Sequence, residues 1–309
     1  MPSRYPERAD FDVVHVGNVC RDIDRNDPRG WRLGGGVAYA ALTSARLGHR
    51  SAAVFGADRI AAEATEIDVL RAAGVDVQIV PLGQGPVFEN VEQDHRRVQT
   101  CVEPGEPVPV VEVPDAWRAA PAWMVVPVAN ETGPEWAAAI PPDARLALGW
   151  QGLLRTLVAG TETGRKPPSR GPLVDRANLI GASRGDLAPG TSLDDLNALL
   201  RPGTRLVLTQ GIHGGVIFEA TSRGPAGRIA YDSIPSRQVD STGAGDVFLA
   251  ALVAAWLDRG APADQPGPTP GDLRWAAAAG ALAVEGIGLA GVPDRAVVIA
   301  RLAEIDQES

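Results

Sequence analysis

Between Asp240 and Asp246 the chain reads Asp-Ser-Thr-Gly-Ala-Gly-Asp and then enters the apolar segment Val247 to Leu257. Gly243 and Gly245 flank Ala244, so backbone N–H groups there can turn freely towards a ligand. A helix starting at this point adds the positive end of its dipole, and the pair makes a site for an anion or for charge that builds during a reaction. Asp246 falls in the first turn of that helix. A carboxylate beside a bound phosphate is repelled by it, which points to a chemical role as general base towards an approaching hydroxyl. The competing role is a helix cap, for which Asp is favoured. No capping box is evident, since Gly245 stands three residues after Thr242 and Ala244 three after Ser241.

Composition narrows what that anion can be. The chain has 309 residues and a net charge of -9, which argues against a nucleic-acid or anionic membrane surface. Lys166 is the only lysine, and it follows Arg165 rather than glycine, so a Walker phosphate loop is excluded. Cys20 and Cys101 are too few for a disulfide framework, which fits a reducing cytoplasm. The apolar run after Asp12 is too short for a signal peptide, and Val247 to Leu257 is too short to span a bilayer. His15, His49, His95 and His213 are scattered without metal spacing and read as structural or exposed.

The elements that must hold the anion site alternate. Strands are expected at 11–16, 51–55, 75–81, 123–128, 146–149 and 178–181, with helices at 37–47 and 61–73 between the early ones. Such alternation builds a parallel sheet covered by helices on both faces. The segments 86–91 and 96–102 break the pattern and read as a hairpin that helps cover a site. The stretch 18–33 is polar and turn-rich, 160–172 reads as a surface loop, and 261–271 as a proline-rich loop. An antiparallel group at 206–208, 215–218 and 228–234 precedes the anion motif. The whole reads as one domain, 1–309, with small lid elements near 18–33 and 86–102.

In this order the motifs resemble the ribokinase-like family of sugar and nucleoside kinases, over nearly the whole chain. The run Val239 to Asp246 is similar to that family's most specific signature, and Gly34 and Gly35 to its paired glycines. Asp22, after Gly17 and Asn18, resembles the acid it places against substrate hydroxyls. Thr209, Gly211 and Gly214 resemble its nucleotide-phosphate loop, and 276–288, with Gly280 and Val284, the helix and turn beside the adenine. The resemblance implies an α/β, ribokinase-like fold with a small β lid. It also implies transfer of the γ-phosphoryl of ATP to an alcohol, with Asp246 as base and the Gly243, Ala244 and Gly245 amides holding the transferring group.

Departures refine the expectation. Where relatives carry asparagine and glutamate to organise Mg²⁺, this chain has Ser183 and Asp186, whose shorter side chain acts through water. By the same resemblance Asp240 helps hold a monovalent cation such as K⁺. Tyr39 replaces an asparagine that contacts ribose-like hydroxyls, which makes ribose a poorer acceptor. The stretches Val87-Phe88-Glu89-Asn90, Gln151 to Arg155 and Val284 to Gly288 are similar to the myo-inositol kinase branch. Arg155 is then a partner for substrate or phosphate oxygens, and alternation turns only one of Glu89 and Asn90 inward. The expected acceptor is myo-inositol or a related cyclitol, with a sugar or nucleoside as the alternative. A non-catalytic sugar- or nucleotide-binding regulator is the reading of another class, and the short polar insertions fit a monomer or a homodimer. A nicotinamide oxidoreductase is disfavoured, because no further glycines follow Gly17 at the needed spacing.

Overall fold

The computed structural model describes residues 9–93, 96–260 and 267–308. Its first strand, β1 (Val13–Asn18), is buried from end to end. Val13 packs into one hydrophobic cluster while Val14 and Val16 pack into another, the period-two signature of a strand covered on both faces. Two short strands follow, β2 (Cys20–Ile23) and β3 (Trp31–Gly34), in the stretch that reads only as polar and turn-rich. After β4 (Ser51–Ala57) and β5 (Asp76–Pro81), β6 (Val87–Gln93) and β7 (Arg96–Glu103) pair as the expected hairpin. Its turn at 94–95, including His95, lies outside the described residues, as does 261–266 of the proline-rich loop.

Next come β8 (Ala122–Val125), β9 (Arg145–Gly149) and three two-residue strands, β10 (Arg155–Thr156), β11 (Thr161–Glu162) and β12 (Gly164–Arg165). The last four are β13 (Leu179–Ser183), β14 (Arg205–Thr209), β15 (Gly215–Glu219) and β16 (Ala226–Tyr231). Nine strands make the main sheet, in the order β16-β15-β14-β13-β9-β8-β1-β4-β5. Its neighbours are parallel from β14 to β5, and β15 and β16 are antiparallel additions. The second sheet, β11-β7-β6-β2-β3, forms the lid, and its β2 follows directly from the carboxyl end of β1.

Two expectations need correction. The single helix at 61–73 is two, Arg59–Ala62 and Thr65–Ala72, because Asp58 caps the first by accepting from Ala61 N at 2.8 Å and the chain turns before the second. The surface loop at 160–172 contributes β11 to the lid, through Thr161 and Glu162 against Cys101 and Thr100, and β12 against β10. Strands of two residues are too short to show a period, so composition alone reads as loop.

The helix Ala244–Asp258 is apolar on all sides because it is enclosed, with Val247 to Trp256 buried. Small residues let its neighbours, the helices Gly36–Arg46 and Pro270–Ala283, pack closely on it, and Leu249 fills the space over Gly181 of the sheet. That packing fixes where its N-terminus points.

Sheet order reverses between β1 and β8, since β4 and β5 lie to one side of β1 and later strands to the other. At such a switch point the loops leaving the strands diverge and leave a crevice at their carboxyl ends. Glu131, 2 % exposed, locks the diverging loops together. Its carboxylate accepts from Asn18 N at 2.9 Å, Val128 N at 3.0 Å and Ala129 N at 2.7 Å. Burial nevertheless leaves its pKa raised, against those N–H groups that lower it. Removing the side chain strands the buried N–H groups of Asn18 and Val128 at about 1–3 kcal/mol each, and frees the half-buried one of Ala129. Glu131→Ala is therefore expected to lose at least about 2 kcal/mol, read as a fall in the urea midpoint, and Glu131→Gln, which keeps an acceptor, to lose less. An unchanged midpoint in the alanine variant contradicts this account.

Candidate active site

A cavity of about 940 Å³ opens at the carboxyl ends of the parallel strands, under the lid. Gly149, Ser183 and Thr209, the last residues of β9, β13 and β14, form its floor on one side. Phe88, Asn90 and Gln99 reach into it from the lid hairpin. Gly243, Gly245 and Asp246 close it from the helix side.

The helix begins at Ala244, and Gly243 before it has φ 76°, a left-handed conformation that favours glycine. No side chain caps this end, so Asp246 is not the cap that local composition allows. The first N–H groups of an α-helix have no acceptor within the helix; that of Ala244 donates to Ser241 O at 3.4 Å, and the cavity-lining turn at Gly243 and Gly245 is the part able to bind an anion. The ring of Tyr39, 2 % exposed, packs directly against Gly243 and supports the loop from beneath. A Cβ on Gly36 would lie 2.6 Å from Asp246 Oδ1, so the backbone entering the first helix touches the carboxylate with nothing between them.

That setting raises the pKa of Asp246 to about 7, chiefly by desolvation, with Arg155 opposing and Asp186 adding to the rise. Arg155 lines the same cavity, donating from Nη1 to Val128 O at 2.7 Å, with its guanidinium 5.6 Å from the Phe88 ring centre. Burial lowers its own pKa, while Asp186, Cys20, Asp246 and Asp22 hold it up, and an arginine so placed stays charged. A carboxyl that titrates near neutrality, beside a fixed cation and a helix N-terminus, can take a proton while charge on a neighbouring group is stabilised.

On the lid side the structure brings Asp22, Gly35 and Asn90 to the cavity. Asn90 Nδ2 donates to Asp22 Oδ1 at 3.5 Å, and Gln99 donates to Asn90 Oδ1 at 2.9 Å, so the two polar groups are held in one row. Gly34 does not line the cavity; any Cβ there would overlap Asp22 Oδ2, so its smallness serves the carboxylate. Glu89 faces away, pairing with Arg25 at 3.4 Å, which resolves the alternation in favour of Asn90.

On the other side Ser183 and Asp186 both line the cavity and are locked to each other. Ser183 Oγ accepts from Gly185 N at 3.2 Å, while Asp186 accepts from Ser183 N at 3.2 Å and from Gln151 Nε2 at 3.2 Å. Among the described residues no three His, Cys, Asp or Glu side chains stand close enough to hold a metal together. Mg²⁺ keeps several waters and takes one or two carboxylates plus donor phosphates, so Asp186, with lone pairs to spare at the cavity wall, fits it. Thr209 lines the cavity too, but Gly211, Gly214, Gly280 and Val284 do not. Gly211 and Gly214 shape the turn into β15, and the Val284 carbonyl accepts from Val239 N at 2.7 Å and Asp240 N at 3.0 Å. Asp240 lies behind the anion loop, in an adjoining cleft of about 460 Å³ that shares Asp22, Tyr39, Asn90, Ser241 and Thr242 with the cavity.

Several lining residues escape sequence reasoning. Gly36 and Gln99 carry no spacing signal, Phe88 is legible only as part of its motif, and Thr163 to Arg165 sit in the stretch that reads as a loop. Gln151 is legible only as part of its motif. Among the described residues no histidine joins the cavity: His15 is a core residue, 3.0 Å from Ala52 O, and burial lowers its pKa to about 4.

Residues 185–295 match the model of the pfkB family carbohydrate kinases. No curated protein sequence matches the chain. Among solved structures the chain is similar to a pyrophosphate-dependent kinase of the ribokinase family complexed with a pyrophosphate analogue and myo-inositol, with 16% identity and a TM-score of 0.70 over 94% of this chain and 99% of that one. It is similar to a nucleoside kinase from Methanocaldococcus jannaschii, with 14% identity and a TM-score of 0.66 over 95% and 99%. It is also similar to the ribokinase of Arabidopsis thaliana complexed with ribose and ATP, with 20% identity and a TM-score of 0.63 over 94% and 98%. At these identities the likeness is one of fold, and the fold is ribokinase-like. The family matched over residues 185–295 is one of carbohydrate kinases, phosphotransferases acting on a hydroxyl. Among the described residues no helix is long and apolar enough to cross a membrane.

The raised pKa of Asp246 has a consequence for stability. Its folded value, about 7, lies above the ordinary 3.8, so the folded protein holds the proton more tightly and stability falls as pH climbs between the two. Asp246→Asn never carries the buried charge. The variant is expected to melt above the parent at about pH 8, with the gap closing towards about pH 4. A gap independent of pH would show that the carboxyl is well solvated.

Proposed function

We propose that this chain, with its ribokinase-like fold and the pfkB-family match over residues 185–295, phosphorylates a hydroxyl of a small polyol, with myo-inositol or a related cyclitol as the best candidate. The observation that carries the reading is Asp246, a carboxyl of raised pKa at a helix N-terminus, facing the same cavity as Asp22 and Asn90.

In this reading the acceptor lies between lid and sheet. Asp22 and Asn90 take its hydroxyl hydrogens and orient the ring. One hydroxyl is directed at Asp246, which removes its proton as the oxygen attacks phosphorus and the donor's bridging P–O bond breaks. The amides of Gly243, Ala244 and Gly245, with the helix dipole, hold the charge on the transferring group. Arg155 balances the acids around it and keeps the cavity habitable for an anionic donor. Mg²⁺ bound with the donor would supply further charge neutralisation, and Asp186 is the residue that would hold it through water. Tyr39, packed under the loop, presents no amide to a ribose, which supports a cyclitol over a nucleoside. The cyclitol assignment also draws on the myo-inositol in the related complex.

ATP is the first donor to consider, as in the complex of the plant ribokinase. A second reading, inorganic pyrophosphate, is favoured by one observation: the cavity reaches Ser183 and Thr209 but not Gly211, Gly214, Gly280 or Val284, the residues expected around a nucleotide base and its phosphates. Both donors use the same anion loop.

The test is a panel of cyclitols, sugars and nucleosides with Mg²⁺ and either ATP or pyrophosphate, read by ADP or phosphate release. Turnover of a cyclitol is expected to exceed that of ribose. Asp246→Asn should lower kcat by roughly 10²–10⁴-fold while donor binding persists. The parent kcat/KM should rise with pH through about 7, as Asp246 loses its proton. Donor binding without turnover of any acceptor would favour the non-catalytic regulator.

A further inference from the structure

Behind the anion loop, the place expected for a monovalent cation is organised differently. Asp240 Oδ1 accepts from Thr242 N at 2.9 Å, so the carboxylate braces the loop from its own start. Oδ2 accepts from Gly288 N at 3.2 Å and meets Arg32 Nη1 at 3.4 Å. Two donors use the two lone-pair directions of that oxygen, and one of them is a full positive charge. Thr242, Gly288 and Arg32 lower the pKa of Asp240 against the desolvation that raises it. A metal cation needs acceptor oxygens with free lone pairs, and it would have to share this one with a guanidinium of the same sign. The residues present therefore do not fit K⁺ at Asp240.

Arg32 is itself held. Its Nε forms an ion pair with Asp24 Oδ2 at 2.7 Å, without the alignment of a hydrogen bond, and the side chains of Arg32, Asp24 and Asp240 are 29%, 16% and 16% exposed, so the row is largely sheltered from solvent screening. It belongs to β3, where it stands directly opposite Asp22 of β2 in the antiparallel register. Directly opposed residues share a face of the sheet. One guanidinium thus adjoins the proposed acceptor ligand on the lid and bonds the carboxylate that braces the anion loop.

We infer that Arg32 is this chain's built-in counter-cation: it replaces a monovalent metal ion at Asp240, sets the anion loop without one, and ties that loop to the lid strand beside Asp22. The catalytic consequence rests on the kinase reading above, while the binding consequence does not. Because the charge is covalently attached, it cannot be diluted away, and the loop is formed at any potassium concentration.

Melting temperature and kcat/KM of the parent protein are compared in potassium chloride and choline chloride at equal ionic strength. The expected result is equal melting temperatures and rates that agree within about twofold, below the roughly 5–150-fold range of a coupled effector. Arg32→Gln should lower kcat/KM in choline by about tenfold and become sensitive to potassium, with Arg32→Lys restoring part of the activity. Potassium-specific stabilisation of the parent, or activation of it by more than about fivefold, overturns the proposal. So does an Arg32→Gln variant as active in choline as the parent. If no acceptor is turned over, the kinase reading fails alone, and the melting comparison still decides whether the parent binds potassium.

Discussion

Four carboxylates, Asp22, Glu162, Asp186 and Asp246, line one cavity together with the guanidinium groups of Arg155 and Arg165, and that charge arrangement constrains everything built around it. A phosphate donor adds more negative charge to a space that already has an excess. The chain answers with groups that are positive without being acidic partners: the N-terminus of the helix at Ala244, the amides after Gly243, and Arg155. Desolvation then acts on the carboxyl closest to the amides. Asp246 is half-buried at the cavity wall with its carboxylate against Gly36, and desolvation moves its pKa towards neutrality although the nearby cation opposes the rise. The same burial that costs stability gives the carboxyl a proton affinity suited to a base.

Packing of small residues makes this burial possible. The Gly36–Arg46 and Pro270–Ala283 helices are rich in small residues, so they pack closely around the central helix, and the ring of Tyr39 backs the turn at its start. Gly36 and Gly34 do a related task at the two ends of one turn. Each gives up its side-chain volume to a carboxylate, Gly36 to Asp246 and Gly34 to Asp22. The base and the proposed acceptor ligand are therefore registered against the same three-residue turn, and a shift in that turn would move both.

The parallel sheet, the lid hairpin and Asp246 were legible because each rests on a local pattern: buried β-branched runs, paired strand segments, and a carboxylate at the head of an apolar helix. The lid strands β2 and β3 were not, since each is four residues long, mixes charged with apolar positions without a clear period, and is ordered by pairing with its neighbour and with β6. Nor was the part played by 161–165, whose strands consist of two residues each and are ordered only by partners some sixty positions away in β7 or across a short turn in β10. Site membership followed the same division. Asp22, Asn90 and Ser183 could be placed from motifs, whereas Glu89 and Gly34 carry the same motif signal yet face elsewhere, because the direction of a side chain is decided by pairing that a single sequence does not display.

Asp240 illustrates how a motif can be retained while its partner changes. Its sequence position predicts a carboxylate behind the anion loop, and the structure has one there, bonded to Thr242 and Gly288. What the motif cannot specify is the positive charge opposite, which comes from Arg32, 208 positions earlier and on the other sheet. A mobile ion at that position would brace the loop alone. A side chain braces the loop and the lid at once, because the guanidinium is carried by a strand whose register also fixes Asp22. Lid position and loop geometry are then coupled through one ion pair, and any motion that lifts β3 from the site must also withdraw the charge that steadies Asp240.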